Sequence, residues 1–168
     1  MEKAYEFRNR LLQVHKNNIR DPKREPKAGE FFLPCEVTIG IEKNAGEVVR
    51  TAAQDFCDFL STSMGITGIV HPGKADATVT AALGTDLGEY AAYKGFRIDT
   101  SDTGIAIAGH HDRGIAQAFF YLEMMMEFEK APAIQLGRVE KKPMFSPRMI
   151  HSGYGLDEYP EEYLARGN

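Results

Sequence analysis

The chain has 168 residues, 43% of them apolar and 26% charged, and a formal net charge of −4. Those values describe an ordinary globular domain, long enough for one core. The mild acidity offers no broad attraction to nucleic acid or to an anionic membrane, and no run approaches the roughly 18 apolar residues of a membrane span. Neither nucleic acid nor membrane is expected as a partner.

In chain order, Met1 to Arg10 is charged throughout and lacks the apolar core of a secretory signal. The reading is a cytoplasmic protein or one whose signal has been removed. Tyr5, Phe7, Leu11, Leu12 and Val14 are compatible with a short helix over 3–15. From Asn17 to Gly29 the pairs Asp21-Pro22 and Glu25-Pro26 interrupt helix and interior strand alike, so this stretch reads as an extended linker and the arm is expected to pack separately. The arm is basic, with Arg8, Arg10, Lys16, Arg20, Lys23 and Arg24. Glu6, Asp21 and Glu25 are interleaved and no aromatic follows Phe7, which fits a solvated linker and not a nucleic-acid surface.

The globular unit starts near Phe31. Cys35, Val37, Ile39 and Ile41 alternate with polar residues and Gly40, the period of a strand with one buried face. Ala45, Val48, Val49, Ala52, Ala53, Phe56 and Leu60 recur at helical spacing, with Asn44 placed as N-cap and Gly65 as stop. Ile66 to His71 and Ala77 to Leu83 are two short strands split by Pro72-Gly73. Tyr93 to Ala108 reads as a hairpin turning at Asp99–Asp102, and Arg113 to Phe128 as a second helix with Asp112 as its cap. Ile134, Leu136 and Val139 add a last strand. The fold expected is an α+β two-layer sandwich: one mixed sheet of about five or six strands with two long helices packed on one face.

Cys35 and Cys57 both read as small buried hydrophobes, and no ligand spacing suggests a metal. Adjacent side chains in a turn point different ways, so His110-His111-Asp112 is a turn and cap, not a metal or acid/base site. Gly109 to Gly114 lacks the Lys-Ser/Thr of a phosphate loop. No cofactor and no catalytic residue is assigned. Phe119, Phe120, Tyr121, Leu122 and Met124-Met125-Met126 make the second helix apolar over much of its circumference, as expected of a helix held between a sheet and a neighbouring domain.

The segment 141–168 reads as the beginning of another unit. Pro143, Phe145 and Pro147 form a stiff connection, Arg148 to His151 a short strand, Gly153 to Gly155 a loop, and Pro160 to Arg166 a helix start. One βα unit cannot bury itself, which suggests a truncated α/β barrel. The division expected is 1–30 arm and linker, 31–140 accessory domain, and 141–168 barrel start.

Tyr93-Lys94-Gly95-Phe96-Arg97-Ile98, Gly104-Ile105-Ala106-Ile107-Ala108-Gly109 and Arg113-Gly114-Ile115-Ala116-Gln117-Ala118 resemble, in that order, the small domain preceding the catalytic barrel in family 20 glycoside hydrolases, the β-N-acetylhexosaminidases. A similar domain precedes the barrel of α-glucuronidases. Pro143-x-Phe145-x-x-Arg148 is similar to the lead into the first barrel strand of the hexosaminidases, although Met149 and Gly153 stand where those enzymes carry Gly and Asp. The resemblance implies that the catalytic acid pair lies beyond Asn168 and that this fragment is inactive alone. Arg148 matches the arginine that holds sugar hydroxyls, the other reading being that it only pairs with an acid at the barrel's base; with His151 and Tyr154, and Asp157 nearby, it forms the candidate substrate-binding cluster. The partners implied are the catalytic barrel of the same chain and a carbohydrate substrate. A stand-alone protein- or carbohydrate-binding module is the alternative.

Overall fold

The computed structural model describes residues 13–84 and 86–144. Eight strands and two helices are built from them: β1 (Glu30–Phe32), β2 (Glu36–Ile41), α1 (Glu47–Phe59), β3 (Thr67–Pro72), β4 (Val79–Leu83), β5 (Phe96–Thr100), β6 (Ile105–Gly109), α2 (Asp112–Glu129), β7 (Ala133–Gln135) and β8 (Gly137–Lys141). Six strands form one mixed sheet in the order β3-β2-β4-β6-β5-β8, and β1 pairs with β7 beside it. β2, β3, β4 and β6 run parallel, while β5 is antiparallel to both β6 and β8. The α+β two-layer architecture read from the sequence is the one observed.

Alternation decides which sheet face is dry. Val37, Ile39, Ile41, Val79, Ile98, Ile105 and Ile107 point under the helices, where Phe56 and Phe119 meet with ring centroids 5.4 Å apart. Phe59, Leu122 and Met126 complete the core. Each such side chain contributes on the order of 1.5–3 kcal/mol through burial.

The element ends differ from expectation for identifiable reasons. Asn44 does not cap α1: it lies in the turn closed by Ala45 N–H donating to Glu42 O (3.0 Å), and Gly46 is the N-cap, without a side-chain hydrogen bond. A Cβ on Gly46 would collide with Asp112 Oδ2, so the glycine is needed for close approach. Asp112, in turn, does not cap α2. His111 does, with an extended backbone and an imidazole Nδ1 that accepts from Arg113 N–H at 3.4 Å. After Phe59 the helix widens into a π-turn, Leu60–Met64, and Gly65 ends it at φ +66°, as its sequence position suggested. β5 starts at Phe96, with Tyr93 in the preceding turn, where its ring lies tilted against His111 (4.6 Å between centroids). The single last strand is two strands, because the chain turns at Leu136-Gly137 from its pairing with β1 to its pairing with β5.

Residues 17–29 hold no helix or strand, and they do not pack separately. Asn18 N–H donates to Thr62 O (2.9 Å), Asp21 N–H to Lys130 O (2.8 Å), and the buried Ser63 hydroxyl to Lys16 O (2.8 Å). Arg24 spans Glu30 at 2.7 Å and Glu129 at 3.3 Å, tying the arm to β1 and α2. Burial pushes the Glu30 carboxyl up, but hydrogen bonds from Arg24 and from Lys27 N–H outweigh it and hold the group below its ordinary value.

Candidate functional site

Arg148, His151 and Tyr154, the candidate substrate contacts, lie outside the described residues together with Asp157. Within the described residues the chemistry sits on two surfaces, the outer side of the helix layer and the open face of the sheet.

The His110-His111-Asp112 turn is dispersed by the fold. His111 is occupied as a helix cap and Asp112 reaches across to the N-cap of α1. Among the described residues no three His, Cys, Asp or Glu side chains are arranged to hold a metal ion. Cys57 is buried, and that burial, with Asp58 adding to it, pushes its thiol up to about 11, leaving it protonated and unreactive near neutrality. Cys35, expected to be buried, is exposed. It falls between β1 and β2, just outside the alternation that carries Val37 and Ile39 inward.

On the helix layer, α1 and α2 leave a groove of about 610 Å³ between their outer sides. Val48, Thr51, Ala52 and Asp55 line it from α1, Ala116 and Phe120 from α2. Beyond it Met124 is 56% exposed and Phe128 80%, one and two turns along from Phe120. At the Asp55 end the arm crosses both helices. His15 Nε2 and Asp55 Oδ1 are 2.9 Å apart, the His15 ring lies edge-on to Phe59 at 5.6 Å, and Lys16 pairs with Glu127.

Glu123 belongs to the same seam. Its Oε1 is covered and makes no hydrogen bond among the described residues. Burial first, and the nearby Asp55 charge second, push its carboxyl up to about 8, so the group keeps its proton at neutral pH. Sequence reasoning missed Glu123 and Asp55. The available signal was one acid inside the apolar run Phe119 to Met126.

The open sheet face carries a shallow recess of about 710 Å³ floored by Thr80 and Ala106 and edged by Thr100, Ser101, Thr103 and Arg138. Asp99 takes Arg138 Nε at 2.6 Å and Arg97 Nε at 3.1 Å. The hydrogen bond to Asp99 raises the Arg138 guanidinium further above its already high value. Hydroxyls and guanidiniums here can hydrogen-bond a polar ligand, but Asp99 is already engaged by two cations and is no free general base.

No family model and no curated protein matches the chain. Solved structures do. The fold is similar to part of the N-acetyl-β-hexosaminidase of Streptomyces plicatus, with a TM-score of 0.60 and 16% identity over 73% of this chain and 25% of that one. A β-N-acetylhexosaminidase of glycoside hydrolase family 20 from Streptomyces coelicolor gives 0.57 and 14%, again over 73% and 25%. A family 115 4-O-methyl-α-glucuronidase gives 0.51 and 16%, over 64% and 18%. At these identities the likeness is one of fold, and the chain spans about a quarter or less of the length of each structure it matches. These neighbours are glycoside hydrolases, and what this chain shares with each is the fold of a part of it.

Proposed function

We propose that this chain is the non-catalytic N-terminal accessory domain of a carbohydrate-active glycoside hydrolase, hexosaminidase-like or α-glucuronidase-like, which braces a catalytic barrel begun by 141–168. The observation that supports this reading most is the coverage: most of this chain has the fold of about a quarter of a hexosaminidase. The helix layer adds to it, because Phe120, Met124 and Phe128 form an exposed apolar stripe along α2 that suits a neighbouring domain. On this reading Arg148, His151 and Tyr154 contact the carbohydrate from the first strand and loop of the barrel, where side chains at strand C-terminal ends meet substrate.

The test is to read the gene beyond Asn168, express any longer protein beside this chain, and assay both on aryl glycosides and uronides. Turnover by the longer protein alone is the expected result, with Arg148→Ala lowering its kcat/KM by about tenfold or more. A stop codon directly after Asn168 overturns the proposal. It would favour a stand-alone binding module, for which the hydroxyl-lined recess on the open sheet face is the supporting feature.

A further inference from the structure

The large sheet ends in two edges, β3 and β8, and they are built differently. β3 carries no Lys, Arg, Asp or Glu and closes on Pro72, which has no N–H to offer. β8 carries Arg138 and Glu140, two residues apart and so on one face of the strand, the open face of the sheet. Among the described residues its one strand partner is β5, which leaves a row of backbone N–H and C=O groups directed away from the sheet. The register sets Asp99 of β5 opposite Arg138, and Arg97 opposite Glu140. Arg138 gives its Nε to Asp99 at 2.6 Å; its terminal guanidinium nitrogens and the Glu140 carboxylate make no hydrogen bond among the described residues. We propose that β8 pairs antiparallel with β8 of a second copy of this chain about a two-fold axis at Val139, joining the two sheets into one.

Charge order selects both the partner and the register. Residues opposite each other in an antiparallel pair point to the same face, so the axis of a self-pairing must pass through a residue and not between two. An axis at Arg138 would set two guanidiniums face to face, and one at Glu140 two carboxylates. The axis at Val139 sets Arg138 opposite the partner's Glu140, and Glu140 opposite the partner's Arg138. Each row across the joined sheet then alternates in sign: Asp99, Arg138, the partner's Glu140, the partner's Arg97. Opposite charges directly across a pair of strands stabilise it and like charges destabilise it. Charges on an edge deter indiscriminate pairing, and this order admits one self-pairing. The edge is five residues long, so the dimer is weak and concentration-dependent. The inference does not rest on the accessory-domain reading, which concerns the outer side of α2.

The experiment is sedimentation equilibrium of the full 168-residue chain over about a hundredfold range of concentration, at low and at high salt. The expected result is a monomer–dimer equilibrium that weakens as salt rises. Arg138→Glu alone gives Glu opposite Glu in the pairing, and Glu140→Lys alone gives cation opposite cation; each is expected to dimerise at least about tenfold more weakly. An equal mixture of the two variants restores opposite charges at both positions and is expected to form a heterodimer. Arg138→Gln and Glu140→Gln, which add no like charge beside Asp99 or Arg97, are expected to weaken the dimer less, and they keep the test decisive if a reversal disturbs the fold. Met124→Asp, on the helix layer, should leave the dimer unchanged. A monomer at every concentration would overturn the proposal. So would a dimer of equal strength in all the β8 variants, one that Met124→Asp abolishes, or a mixture that stays as weakly associated as its parts.

Discussion

The two helices cover the same sheet but finish their outer sides differently. On α1 the core face of Val49, Ala52, Ala53 and Phe56 is opposed by Arg50, Thr51, Gln54 and Asp58, with Val48 alone among its large apolar side chains exposed, so water solvates most of the far side. On α2 the core face of Ile115, Ala118, Phe119, Leu122 and Met126 is opposed by Phe120, Met124 and Phe128, which water does not suit. Two helices in one layer share the task of covering the sheet, and only one carries an apolar outer side in addition. The difference teaches that the α2 surface answers to something other than the stability of this domain.

Substitutions can break that comparison, beginning with the largest effect. Phe119→Ala removes a ring packed on Phe56 and should cost about 3–5 kcal/mol in denaturant unfolding. Phe120→Ala, the next residue but outward-facing, should stay within about 0.5 kcal/mol; equal losses would abolish the distinction between the two sides. Gly114→Ala places a Cβ against the carbonyl oxygen of Gly95 where α2 starts over β5, and should cost about 1–3 kcal/mol.

Glu123 sharpens the comparison from inside the seam. In the unfolded chain its carboxyl has the ordinary value of 4.5, and in the fold it is pushed up to about 8. Between those values the folded state binds more protons, so this group's contribution is complete below pH 4.5 and is lost as pH rises toward 8. Glu123→Gln should therefore be stabilising at pH 8 by about 1–2 kcal/mol, discounted for partial solvent access, and nearly neutral at pH 4.5. Urea melts of both proteins at the two pH values measure this, and a pH-independent difference would contradict it. The smallest effect is Met124→Asp, which should leave the stability of this chain unchanged within about 0.5 kcal/mol.

Much of this fold was legible in the sequence, for physical reasons that also mark where legibility stopped. The alternation of Val37, Ile39 and Ile41, and the helical steps from Val49 to Phe56 and from Ile115 to Met126, report burial, and burial is what the sheet and helix layer impose; Val48, counted in the same pattern, is exposed. The helix starts were misread because a cap depends on a partner from elsewhere. Asp112 has the right chemistry for its own helix, yet its carboxylate lies at Gly46 on the other one, and His111 takes its place. The His15–Asp55–Glu123 seam joins three elements separated by 40 residues or more, and no local pattern announces it. The Arg148, His151 and Tyr154 cluster rests on the resemblance to hexosaminidases and stays a proposal.

The proposal that a further domain of the same protein covers the outer side of α2 is tested most directly by thiol labelling of Met124→Cys on a Cys35→Ser background. Labelling is followed in this chain and in the longer protein encoded by the gene, with Ala106→Cys on the open sheet face as reference. The account predicts fast labelling at both positions in this chain, and in the longer protein labelling slowed at least tenfold at Met124→Cys alone. Equal rates for Met124→Cys in the two proteins would contradict it.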